Sequence, residues 1–147
     1  MKKRILFICK HNVFRSQVAR IFFNKINKNK NYFSDSAGII KWNKKDLVGD
    51  KEYQIEKEIS KIFGIKLDKY NSKSLSSTLL KKTEILVIVA DDVPPRLFKN
   101  EKSFNGKVIV WKTKDIKPSY KNKEKVTKNT IKSIEKNIKK LIKTLDY

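Results

Sequence analysis

Apolar residues occur in short blocks along the chain, and the spacing within each block separates strands from helices. An unbroken apolar run such as Ile85 to Val89 predicts a strand that is buried on both faces. Apolar residues three and four positions apart, as in Ile131, Ile134 and Ile138, predict a helix with one apolar face. The predicted strands are residues 4–8, 33–37, 84–90 and 107–111, and the predicted helices are 17–26, 51–63, 74–82 and 127–145. The first strand, helix and strand form a βαβ unit, which predicts parallel strands.

The boundary between the first strand and the first helix contains the only cysteine in the sequence. Cys9 and Arg15 bracket five residues, and a loop between a strand and a helix N-terminus directs backbone N–H groups into one small volume that binds oxyanions. A thiol that faces these groups loses its proton easily and can attack phosphorus, while Arg15 binds two phosphate oxygens. The residues predicted to bind substrate through this loop are Lys10, His11, Asn12, Val13, Phe14 and Ser16.

The choice of arginine at position 15 supports this interpretation over a structural one. A cysteine after an apolar strand is usually a small buried hydrophobe. However, only four of the 36 basic residues are Arg and 32 are Lys, so the default basic residue of this chain is Lys. A planar guanidinium is what a bidentate oxyanion clamp requires, and Lys cannot provide it. We therefore predict a catalytic Cys9 and Arg15.

This stretch resembles the low-molecular-weight protein tyrosine phosphatases and the related thioredoxin-linked arsenate reductases. The resemblance rests on Cys9 at the end of a strand, Asn12, the Arg15-Ser16 pair and the helix opening at residues 16–19. Looser similarity extends to residues 34–38, to the strand at 85–91 and to Asp115. It implies one domain over residues 1–147, with an α/β fold of three layers. A central four-stranded parallel sheet would be flanked by helices, with the phosphate-binding loop after the first strand.

The resemblance also implies the catalytic roles. Cys9 would attack the phosphorus of a monoester that Arg15 and the loop hold, and Asp115 would protonate the leaving oxygen. Water activated by the same carboxylate would then hydrolyse the cysteinyl phosphate. Asp91 and Asp92 are the other candidates for the acid, although Asp92 is also placed to cap a helix that begins at the following prolines.

Four further polar or aromatic residues are predicted to serve the loop or the substrate. Asn12 tolerates a left-handed backbone, and its side chain would brace the loop against Ser16 and Ser36, as the matching residues do in the family. The Ser16 hydroxyl, if it faces Cys9, can donate to the thiolate and make it a better leaving group. Trp42 is a candidate wall of the substrate cleft, and a half-buried packing role is the equal alternative.

Cysteine and histidine usage limits the chemistry and the compartment. A single cysteine excludes an internal disulfide, and no apolar run approaches 18 residues. We therefore expect a cytoplasmic protein without a membrane segment or a signal peptide. With one Cys and one His, no cluster of metal ligands is apparent, and we expect neither a metal nor a cofactor.

The formal net charge of +21 is the most unusual global property of the chain. Such a charge attracts anionic ligands and gives salt-sensitive, non-specific adhesion to nucleic acid. The alternative explanation is a compositional bias towards Lys on a solvated surface, because the lysines are spread along the whole chain.

The resemblance therefore implies a phosphatase whose usual substrate is phosphotyrosine in a protein, with small aryl phosphates or phosphoarginine as the alternative substrates. One alternative is arsenate reduction with an external thiol, since a thioredoxin-linked relay needs further cysteines within the chain. The other is a basic module that binds an oxyanion or nucleic acid without catalysis.

Overall fold

The computed structural model describes residues 2–40, 51–68, 72–99, 101–102, 104–114, 116–117 and 119–145. Its strands are β1 (Lys3–Cys9), β2 (Tyr32–Gly38), β3 (Thr83–Val89) and β4 (Lys107–Trp111). Its α-helices are α1 (Arg15–Ile26), α2 (Lys51–Ile62), α3 (Ser77–Lys81) and α4 (Lys123–Thr144), and a short 3-10 helix covers Pro95–Phe98. No helix in these ranges is both long enough and apolar enough to cross a membrane.

The four strands form one parallel sheet in the order β2-β1-β3-β4. β1 is a central strand, because it pairs with β2 on one side and β3 on the other. Parallel strands end at the same edge, so Cys9 lies opposite Gly38 of β2 and close to the end of β3. The register thus places the predicted loop at the carboxyl edge of the sheet, where open α/β sheets bind ligands.

Both faces of the sheet are covered, as the unbroken apolar strands require. Alternate side chains of β1 and β3 point to opposite faces, so Phe7 and Val87 pack with helices α1, α2 and α4, whereas Ile8 and Ile88 pack beneath α3 and the 3-10 helix. The predicted α/β fold of three layers with a four-stranded parallel sheet is confirmed.

The beginnings of helix α4 and of the 3-10 helix differ from the predictions, each for a local reason. Helix α4 begins at Lys123, because the side chain of Asn122 accepts a hydrogen bond from Lys125 N at 3.0 Å and caps the helix. The predicted cap by Asp92 is wrong. The 3-10 helix after β3 has Pro94 at its N-cap position and no side-chain cap, and the Asp92 carboxylate contacts Arg15 instead.

Candidate active site

Cys9 ends β1 with its side chain buried, at 2% exposure, beneath the loop of residues 10–14. The loop turns back over the sulfur at Asn12, which has the left-handed φ of 59°. This conformation suits Asn better than most residues. The Asn12 backbone N–H then donates to Cys9 Sγ over 3.2 Å. The turn therefore directs a backbone donor at the predicted nucleophile.

A second polar contact to the sulfur comes from the first turn of α1. Ser16 Oγ lies 2.9 Å from Cys9 Sγ, and Asn12 Nδ2 donates to Ser16 Oγ over 2.7 Å. Because the amide N–H uses the oxygen of Ser16 as its acceptor, the hydroxyl hydrogen is available to the sulfur. Donors from Asn12 N and Ser16 Oγ would thus stabilise negative charge on Cys9.

Asn12 is also held through its side chain and its backbone by residues that the sequence does not indicate. Its Oδ1 accepts from Lys73 N at 3.0 Å, and its backbone oxygen accepts from Gln17 Nε2 at 2.8 Å. Gln17 also bonds the backbone of Asp68 through both ends of its amide. These contacts fix the loop to segments more than 50 residues away in the chain.

Ser36, the predicted loop support, makes a different contact. Its hydroxyl accepts from Arg20 Nε at 3.2 Å, and no hydrogen bond joins it to Asn12 in the part of the chain that is described. Ser36, Arg20 and Asn12 nevertheless line the same cavity of about 490 Å³. Any influence of Ser36 on the loop therefore runs through its surroundings and not through a direct bond to Asn12.

Gly38 allows the loop to lie directly on the end of β2. A Cβ at this position would come 2.7 Å from the carbonyl carbon of His11 and 2.9 Å from Asn12 N. Both atoms belong to the backbone, so no side chain can move aside. The loop geometry therefore requires glycine here, which gives a structural reason for the Ser-Ala-Gly sequence at the end of β2.

Arg15 is the first residue of α1, and its guanidinium is buried, at 3% exposure, between the loop and the ends of β3 and β4. Nη1 lies 3.1 Å from Asp92 Oδ1, 3.7 Å from Asp91 Oδ1 and 3.1 Å from Thr113 O. Nη2 lies 3.5 Å from Asp92 Oδ2. The structure thus brings Arg15 together with the two acids that follow β3, and an incoming oxyanion would compete with them for this guanidinium.

The other predicted site residues differ in their exposure, and two of them lie outside the described ranges. Lys10, His11 and Val13 are partly exposed, but Phe14 is buried in the core, so at position 14 only the backbone can serve a ligand. Asp115 and Trp42 lie outside the described residues. Thr113, two positions before Asp115, is in contact with Arg15 through its carbonyl. Of the three residues predicted to be catalytic, the structure therefore places Cys9 and Arg15 at the two ends of one loop.

Comparison with known proteins gives one family and a set of similar folds. The model of the low molecular weight phosphotyrosine protein phosphatase family matches residues 4–147. A search of curated proteins found no match. An arsenate reductase from Archaeoglobus fulgidus is 24% identical, with a TM-score of 0.63 over 95% of this chain and 98% of its own. A low molecular weight protein tyrosine phosphatase from T. tengcongensis is 23% identical, with a TM-score of 0.63 over 98% and 100%. The arginine phosphatase YwlE from Geobacillus stearothermophilus is 18% identical, with a TM-score of 0.67 over 96% and 91%.

Proposed function

The chain belongs to the low molecular weight phosphotyrosine protein phosphatase family, and on this basis we propose that it hydrolyses phosphate monoesters through a phosphorylated Cys9. The predicted resemblance and the predicted enzyme class, a hydrolase of this family, are confirmed. The observation that carries the proposal is the position of Cys9 Sγ, which receives Asn12 N at 3.2 Å and lies 2.9 Å from Ser16 Oγ. A merely structural cysteine needs neither donor.

In the first step the Cys9 thiolate attacks phosphorus while the backbone N–H groups of residues 10–15 surround the phosphoryl oxygens. Arg15 turns its fork from Asp92 to two of those oxygens, because a phosphate dianion offers a stronger partner than a half-exposed carboxylate. The leaving alkoxide or phenoxide takes a proton from an acid, for which we propose Asp115.

In the second step water attacks the cysteinyl phosphate and Cys9 leaves as a thiolate. The same acid, now a carboxylate, accepts the proton of that water. Ser16 stabilises the departing sulfur by donating to it, and Asn12 Nδ2 keeps the serine oriented. Each of these residues therefore acts on the step in which negative charge returns to sulfur.

For the substrate we propose phosphotyrosine in a protein or a small aryl phosphate. The family description and the similar tyrosine phosphatase support this choice. The similarity to an arginine phosphatase makes a protein phosphoarginine the first other substrate to test. A cysteinyl-phosphate mechanism serves both, since only the leaving group differs.

The decisive experiment is the hydrolysis of para-nitrophenyl phosphate by the wild type and by Cys9→Ser. We expect activity that vanadate inhibits and that Cys9→Ser abolishes, with a phosphorylated Cys9 trapped by rapid acid quench. An active Cys9→Ser would refute the proposal. Asp115→Asn and Asp92→Asn, compared on an aryl phosphate with a poor leaving group, then identify the acid as the residue whose loss slows this substrate most.

Arsenate reduction is the second candidate, because the same loop would bind arsenate and a similar fold is an arsenate reductase. The chain has one cysteine, so the electrons would come from an external thiol. Arsenite formation with added glutathione, in a protein that does not hydrolyse para-nitrophenyl phosphate, would favour this function over the phosphatase.

A further inference from the structure

A basic groove crosses the amino edge of the sheet, opposite the candidate active site. Two cavities, of about 460 and 710 Å³, meet there and share Lys3, Lys81, Thr83 and Glu84 as lining residues. We call the two together the amino-edge groove. Because β1 has seven residues, the groove lies roughly 20 Å from Cys9 at the other end of the strand. A ligand bound in this groove would leave the phosphate-binding loop open.

The lining of the amino-edge groove is strongly cationic. Its basic residues are Lys2, Lys3, Arg4, Lys81, Lys82 and Lys107, and Glu84 is its acidic residue. Within the described ranges, none of the five lysines forms an ion pair with a carboxylate. Cations that converge on one groove without neutralising partners repel one another, and a polyanion relieves this repulsion and releases its own counterions.

The parallel register adds an aromatic ring to this groove, which the sequence alone does not reveal. β1 and β2 pair Arg4 with Phe33, and the Arg4 guanidinium lies 5.4 Å from the centre of the Phe33 ring. The Phe33 ring is partly exposed and lines the larger cavity. Basic side chains beside an accessible aromatic ring are the combination on which single-stranded nucleic acids bind, through their phosphates and by base stacking.

We propose that the amino-edge groove binds single-stranded nucleic acid, with its lysines on the phosphates and a base on Phe33. The four strands are about 14 Å across at this edge, which is long enough for a short stretch of a single strand. This activity does not rest on the proposed phosphatase function, because no residue of the loop takes part. It also differs from adhesion by net charge alone, since it depends on where the charges lie.

The test compares two triple variants that remove the same three charges. One is Lys2→Gln/Lys81→Gln/Lys82→Gln in the groove, and the matched control is Lys128→Gln/Lys132→Gln/Lys136→Gln on the exposed face of α4. Binding of a fluorescein-labelled oligouridylate of about twelve nucleotides is followed by anisotropy over a range of salt concentrations. All six positions are exposed, and thermal unfolding verifies that both variants fold.

We expect the groove variant to lose about tenfold or more in affinity and to lower the slope of log K against log salt by ~2, which is three contacts at about 0.7 each. The control should change both quantities much less. Equal losses in the two variants would overturn the proposal, because the binding would then follow net charge. Phe33→Leu should weaken the binding of the oligouridylate about fivefold. Competition by heparin that equals competition by unlabelled RNA at the same charge concentration would also overturn the proposal.

Discussion

Replacing Ser16 with Ala tests the part of the mechanism in which sulfur regains its negative charge. The variant removes the hydroxyl that lies 2.9 Å from Cys9 Sγ and leaves the backbone donor of Asn12 in place. A hydrogen bond to a charged group contributes about 1.5–3 kcal/mol, so the breakdown of the cysteinyl phosphate should slow by about 10-fold to 150-fold. The rate of the first step, in which the Cys9 thiolate attacks phosphorus, should fall less.

The same substitution has a separate effect on stability. Asn12 Nδ2 loses the acceptor that it contacts at 2.7 Å, and Asn12 is 1% exposed, so water replaces this partner poorly. An unsatisfied buried donor costs about 1–3 kcal/mol of the free energy of unfolding. The activity of Ser16→Ala must therefore be measured well below its melting temperature.

The assay is a stopped-flow measurement of para-nitrophenolate release, at an enzyme concentration high enough for one equivalent of product to be detected. If the second step becomes slower than the first, Ser16→Ala shows a burst close to one equivalent per enzyme, followed by slow turnover. Ser60→Ala is the matched control, because Ser60 is fully buried in α2 and its Oγ has no hydrogen-bond partner among the described residues. It removes the same atom far from Cys9 and should leave kcat unchanged.

One result would refute the reasoning. If Ser16→Ala has the kcat of Ser60→Ala and shows no burst, the Ser16 hydroxyl does not assist the departure of sulfur. The 2.9 Å contact would then serve only to position the loop.

Three further substitutions test the surroundings of the loop. Arg15→Lys keeps the positive charge but loses the planar guanidinium. Because one charge-assisted hydrogen bond to the phosphate is then missing, kcat/KM for an aryl phosphate should fall about 10-fold to 100-fold. A variant as active as the wild type would exclude bidentate binding. Gly38→Ala places a Cβ 2.7 Å from the backbone of His11, so the loop must move. The phosphatase activity should then fall by about 100-fold. Unchanged kinetics would show that the loop does not lie on the end of β2. Asp92→Asn removes a negative charge 3.1 Å from Arg15. Because the screened repulsion between this carboxylate and a bound phosphate is roughly 1 kcal/mol, the inhibition constant of inorganic phosphate should fall about fivefold. A higher inhibition constant would mean that Asp92 orients Arg15 for the anion.

The sheet could be predicted from the sequence because its signals are local. The apolar run at residues 85–89 and the helical spacing of Ile131, Ile134 and Ile138 each specify an element within a few positions of themselves. The bond between Asn12 and Ser16 spans four residues. The predicted bracing of Asn12 by Ser16 therefore agrees with the observed geometry.

The contacts that join distant segments could not be predicted in the same way. Lys73 N reaches Asn12 across 61 positions, and Asp92 reaches Arg15 across 77. The position of Asp92 after a core strand makes it a candidate acid, but nothing in the local sequence indicates its contact with Arg15. The prolines that follow it favour a helix cap instead. The aromatic side of the amino-edge groove was missed for the same reason, because Arg4 and Phe33 become neighbours only through the register of β1 and β2.

The two acids beside Arg15 would give a protein of net charge +21 a means of discriminating among anions. The overall field attracts every anion to the surface, but the buried guanidinium is already paired with Asp92 at 3.1 Å and lies 3.7 Å from Asp91. A ligand gains this arginine only if its own oxygens replace those partners and at the same time satisfy the N–H groups of the loop. A monovalent anion without several oxygens cannot do both, whereas a tetrahedral dianion can. If the loop binds anions as proposed, the long-range charge sets how often they arrive, and the ion pair at Arg15 sets which of them stay.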